Sequence, residues 1–154
     1  MRIMEEAVPF DEIFRCYEEE NRGWLGFAVG IDYLTAANTR CQGRWTLVFL
    51  SDADIVRVML PLHNHPLEVI PQSGLSVSAA VQRLKQLPKD QMPDCWERIN
   101  KQKERDFSQM HIALESDNGI LKHVDGVHRL LAYVLFDKDQ EVPAYVAGAM
   151  PSSS

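Results

Sequence analysis

The sequence predicts an α+β (mixed α/β) fold with a small mixed sheet, on three observations. Two β-rich runs, Met110 to Leu114 and Ile120 to Val124, flank Ser116-Asp117-Asn118-Gly119. Asn-Gly between such runs is a strong signal for a tight hairpin, because both residues tolerate a left-handed backbone. An apolar stripe of Val127, Leu130, Leu131, Val134 and Leu135 follows at helical spacing, and Val142 to Ala147 supplies a last strand. Helices are predicted ahead of this hairpin–helix–strand unit, so the chain mixes both element types.

The elements follow in order. Pro9-Phe10-Asp11 opens a helix on which Phe10, Ile13, Phe14 and Tyr17 recur every three or four residues, with Gly23 and Gly26 ending it. On that helix Cys16 reads as a packing residue. Ile31 to Cys41 forms a second helix, with Ile31, Leu34 and Ala37 in register. Trp45 to Leu50 is a strand bounded by Gly43 and Ser51. Ser51 caps a helix start with Asp52 and Asp54 in its first turn, and the chain then runs extended into Pro61. His63 to Ser73 is a loop carrying Pro66 and Pro71. Ser76 to Leu87 is an amphipathic helix with Val77, Ala80, Val81 and Leu84 on one face. Lys89 to Phe107 is highly charged and reads as an inserted, solvated helix from about Asp94. Pro143 places the last strand at a sheet edge or makes it a strand start. Residues 1–150 are expected to form one domain, 1–44 being a helical extension and 151–154 a disordered tail.

Composition narrows the function classes. With 154 residues, 45% hydrophobic and 25% charged, the chain is long enough to bury a core. A net charge of −6 argues against nucleic acid or an anionic membrane as partner. No apolar run approaches the ~20 residues of a membrane-spanning helix, and acids stand where a signal peptide needs apolar residues, so a cytoplasmic location is expected. Cys16, Cys41 and Cys95 are odd in number, with no CxxC pair, which argues against a disulfide framework and a cysteine-based zinc site. Trp24, Trp45 and Trp96 read as core or interface anchors, and His111 and His123 as structural strand residues.

The chemistry is expected at Asp125-Gly126-Val127-His128-Arg129, where a strand meets a helix. The first N–H groups of a helix have no partner within it, and with the helix dipole they form an anion site. Gly126 permits a sharp turn and close approach of a ligand. Arg129 can grip a phosphate or carboxylate with two parallel hydrogen bonds. His128 can donate or carry a proton, and Asp125 can cap the helix or orient His128. Both His128 and Arg129 are expected on the polar side of the helix.

The stretch from Val124 to Arg129, the apolar helix Leu130 to Phe136 and the run Val142 to Val146 together resemble the C-terminal part of the ParB/sulfiredoxin-like superfamily. The likeness covers about a fifth of the chain closely, and the helix 76–87 and hairpin fit the order of elements more loosely. It implies a ParB/sulfiredoxin-like domain with a nucleotide- or phosphate-handling site at Gly126, Val127, His128 and Arg129, and a nucleoside triphosphate with Mg²⁺ as cofactor. Val127 stands where sulfiredoxins carry the cysteine of Gly-Cys-His-Arg and where partition proteins carry a glutamate, so neither chemistry is expected. Serine kinases of this fold use an early-loop glutamate as base, and Glu68 is the loop acid that fits by order. A further likeness to short bacterial proteins of specialised-metabolite pathways implies a biosynthetic role.

The function expected is that of a small-molecule enzyme binding a phosphate, nucleotide or carboxylate at Asp125–Arg129, such as a phosphotransferase, with His128, Arg129, Glu68 and Asp125 as catalytic candidates and no metal ligand assigned there. One alternative is an accessory protein that holds the ligand without catalysis. Another is a metal-dependent enzyme built on His63, His65 and Glu68, since two imidazoles and a carboxylate form a common metal triad. A homodimer is left open.

Overall fold

In chain order the elements are β1 (Arg2–Glu5), α1 (Phe10–Asn21), α2 (Phe27–Arg40), β2 (Trp45–Leu50), α3 (Asp52–Ile55), β3 (Met59–Leu60), β4 (Leu75–Ser76), α4 (Val77–Gln86), α5 (Pro93–Lys101), β5 (Ile112–Asp117), β6 (Ile120–Asp125), α6 (Val127–Leu135) and β7 (Val142–Ala147). They come from a computed structural model that describes residues 1–23, 27–60, 75–88, 90 and 93–150. His63, His65, Glu68 and Trp24, together with the expected tail, lie outside the described residues.

The strands form one seven-stranded mixed sheet in the order β1-β2-β7-β5-β6-β3-β4. The hairpin forms as the sequence predicts. Asn118 and Gly119 both adopt left-handed φ, 51° and 82°, and join antiparallel β5 and β6. The chain then crosses through α6 to β7, which lies parallel to β5. β7 also pairs antiparallel with β2, so Pro143 stands near the start of an interior strand and not at an edge. Burial of β7 along its whole length explains its almost unbroken apolar run.

Strand alternation divides the interior into two layers. Val48 and Leu50 of β2, Ile112 and Leu114 of β5, and Val142, Ala144 and Val146 of β7 face α4, α5 and α6. Trp45 of β2, Ala113 of β5, and Tyr145 and Ala147 of β7 face α1 and α2. In the first layer Leu84, Ile99, Leu114 and Leu131 are fully buried, each contributing about 1.5–3 kcal/mol.

Three elements differ from the sequence reading. Residues 2–5 pair with β2 as an edge strand, so the expected helical extension begins inside the sheet. The second helix starts earlier, at Phe27. Helix α5 is not a solvated insertion: Cys95 and Ile99 are buried in the layer shared with α6. Its charges mark only its outer side.

Candidate functional site

The Asp125–Arg129 turn is a sharp strand-to-helix junction, as expected, but it is turned towards the protein. Gly126 has φ 108°, which a side chain rarely tolerates, and a Cβ there would lie 3.0 Å from Ile112 Cγ2. The glycine therefore clears space for β5. No side chain caps α6. Val127 packs against the α4–α6 layer, and His128 is half-buried. Arg129 is buried, contrary to its expected place on the polar side of the helix. Its guanidinium reaches past the end of the sheet to α1, where Nη1 donates to the His111 carbonyl (2.8 Å) and Nη2 to Asn21 Oδ1 (2.6 Å).

A bulge sets the direction of Asp125. Leu114 pairs with His123, but Ala113 pairs with Asp125 and leaves Val124 as the extra residue. Regular pairing would place Asp125 opposite Ile112, on the α6 side. The bulge puts it opposite Ala113, on the α1–α2 side. There Asp125 lines a pocket with Ile13, Cys16, Tyr17, Glu20 and His111 among its neighbours. Though the residue is partly exposed, its carboxyl is enclosed; desolvation raises its pKa, and the Arg129 charge offsets only part of that rise. Gly30 of α2 is pressed against the same place. A Cβ on it would lie 1.9 Å from the Tyr17 hydroxyl and 3.1 Å from Asp125 Oδ1.

Helix α1 presents Ile13, Cys16, Tyr17, Glu20 and Asn21 along one stripe, at spacings of three and four residues, and all five line the pocket. Glu20 grips His111 twice: Oε1 accepts the His111 backbone N–H at 2.7 Å, and Oε2 lies 2.8 Å from Nδ1. Cys16 Sγ lies 2.6 Å from Glu20 Oε2 and 3.3 Å from the same Nδ1. The His111 ring stacks on Tyr145 with centroids 5.0 Å apart.

Electrostatics follow from this crowding. Burial pushes the Cys16 thiol up to about 12, helped by the adjacent Glu20 carboxylate. Burial also works to raise Glu20, but hydrogen bonds from His111 and Cys16 outweigh it and hold the carboxyl below its usual value. A nucleophile relay places the nucleophile and the orienting acid on opposite ring nitrogens. Here Cys16 and Glu20 address one nitrogen, so three donor atoms converge on a point. The cavity beside them is small, with room for a water or a small polar group.

Of the turn, the structure thus brings only Asp125 into the pocket lining; Arg129 bonds the lining residues His111 and Asn21, while Gly126, Val127 and His128 lie outside the lining. Sequence reasoning does not single out Glu20 and Asn21, and it treats Cys16 and His111 as structural. The available signal was that Cys16, Glu20 and Asn21 continue the apolar stripe of Ile13 and Tyr17. A polar group on a buried stripe needs a partner, but its partner, His111, is 91 residues away from Glu20. None of the three cysteines forms a disulfide. Among the described residues no helix is long and apolar enough to cross a membrane.

One protein-family model matches the chain across residues 1–154. The chain belongs to that family, DUF6309, a family of unknown function. No curated protein and no solved structure gave a significant match. For this DUF6309 member, function is therefore argued from the site itself.

Proposed function

We propose that the protein is an enzyme acting on a small molecule on a ParB/sulfiredoxin-like scaffold, with its reaction centre at Cys16, Glu20 and His111. One observation carries this reading. Three chemically versatile side chains from segments some ninety residues apart converge within 3.3 Å in one pocket. The Asp125–Arg129 turn serves that centre from behind, because Arg129 holds both the His111 carbonyl and Asn21. Glu20 and His111 form a pair able to move a proton, and the size of the cavity favours a small polar group over a whole nucleotide.

A second reading keeps the anion at the N-terminal end of α6. It is favoured by the absence of a side-chain cap on that helix, since uncapped N–H groups at a helix start attract anions. A thermal-shift panel separates the two, using inorganic phosphate, small carboxylates, and nucleotides with and without Mg²⁺. Under the first reading a small carboxylate or phosphate raises the melting temperature of the wild type, and Glu20→Gln abolishes the shift. A shift kept in full by Glu20→Gln and confined to nucleotides would overturn it in favour of the α6 site.

A further inference from the structure

We propose that Cys16, Glu20 and His111 bind one divalent transition-metal ion of the zinc type, with a fourth coordination position open to the pocket. This deepens the reading above, since it supplies the cation around which the three side chains would act.

The donor set comes first. Sulfur, imidazole nitrogen and carboxylate oxygen are the ligands zinc takes, and three protein ligands with one open position is the pattern of catalytic sites. Thiolate disfavours Mg²⁺ and Ca²⁺, which prefer oxygen alone. The ligand atoms of the three residues all lie within 4.8 Å of one another. In a tetrahedral site with bonds of about 2.0–2.3 Å, ligand atoms stand roughly 3.3–3.8 Å apart. The three edges here are 2.6, 2.8 and 3.3 Å. Spreading the Glu20 carboxylate by less than about 1 Å brings the two short edges into that range.

The surroundings fit the same ion. Cys16 and Glu20 are four residues apart on one helix, which puts both side chains on the same face. The backbone beside the third ligand is tied on two sides, by the Glu20 carboxylate and by Arg129. Without a cation, the thiol shares its proton with a carboxylate in a crowded pocket. When a metal binds, the sulfur–metal bond forms, the thiol proton leaves to solvent and the two negative charges are neutralised. The open position faces a cavity with room for a water or a substrate oxygen. Cys41 and Cys95, by contrast, are buried among apolar neighbours.

Cobalt titration of the metal-free protein, with Co²⁺ as the probe, reads the site directly. One Co²⁺ per chain should bind with a thiolate-to-cobalt charge-transfer band in the near ultraviolet, and Zn²⁺ should displace it. Cys16→Ser should remove the band, and His111→Ala should weaken binding at least about a hundredfold, since changes merely behind a ligand cost about 10–100-fold. Cys41→Ser should change neither. A wild type that shows no band, or a band that survives Cys16→Ser, overturns the site. Should Cys16→Ser fail to fold, Glu20→Gln keeps the thiol and must still lose affinity. The ligand panel described above is run without added transition metal. Loss of the cobalt band with panel hits intact therefore overturns the metal site alone.

Discussion

On one side of the sheet α4, α5 and α6 bury a layer of Val, Leu and Ile, whereas on the other α1 and α2 enclose Cys16, Glu20, Asn21, His111 and Asp125. The strands serve both layers equally, because alternation hands every second residue to each side. What differs is the helix stripe facing them. Apart from Arg129 the buried side of α6 is apolar, whereas the α1 stripe sets Cys16, Glu20 and Asn21 among Ile13 and Tyr17. Apolar burial stabilises without geometric demands, but a buried polar group costs free energy unless each partner is placed. The α1 side therefore carries devices the other side lacks: the bulge at Val124, the glycine at position 30, and Arg129 reaching across from α6.

Substitutions on the two sides should then fail in different ways. The largest effect is expected on the apolar side: Leu131→Ala should destabilise by about 2–5 kcal/mol, because the cavity left there cannot refill. Denaturant unfolding measures this, and a loss under 1 kcal/mol would mean the α6 layer is loosely packed. On the polar side, Gly30→Ala forces a Cβ to 1.9 Å from the Tyr17 hydroxyl. It should cost about 1–3 kcal/mol, although alanine is the better helix former by about 1 kcal/mol. A stabilised Gly30→Ala would break the view that α2 is pressed against the site.

Asp125→Asn sharpens the contrast by its sign. Desolvation raises the Asp125 carboxyl above its ordinary ~3.9. A raised folded-state pKa contributes stability that is complete below the unfolded value and is lost as pH rises through the folded one. Asp125→Asn should therefore be the more stable protein at neutral pH, with the difference vanishing in acid. A pH series of melting temperatures checks this, and a variant less stable at pH 7 would show that the Arg129 attraction outweighs desolvation. The smallest effect is expected at a helix cap outside the pocket. Ser51 caps α3, its Oγ accepting from the Asp54 N–H while Asp54 Oδ2 accepts from the Ser51 N–H. Ser51→Ala should cost about 1 kcal/mol and leave ligand responses unchanged.

Local signals account for what was legible in the sequence. The Asn118-Gly119 turn, the stripe of α6, the Ser51 cap and the strands β2 and β7 each follow from neighbours within a few residues. The site does not. The pairing of Glu20 with His111 depends on where two distant segments meet, and the direction of Asp125 depends on one extra residue in β6. Arg129 was legible as important, but its direction was not. A helix stripe says which residues face the core; it is silent about a long side chain that leaves past the end of the sheet.

The central claim is that the α1 face keeps Cys16 for binding and not for packing. Denaturant unfolding of wild type and Cys16→Ala, each with and without Zn²⁺, tests it most directly. Without metal the two should agree within about 1 kcal/mol, since the thiol is only half-buried. With Zn²⁺ a hundredfold above its Kd the wild type should gain about 2.7 kcal/mol, and the variant nothing comparable. A Cys16→Ala protein already about 2 kcal/mol less stable without metal, with an unchanged response to Zn²⁺, would contradict the account and return Cys16 to the core.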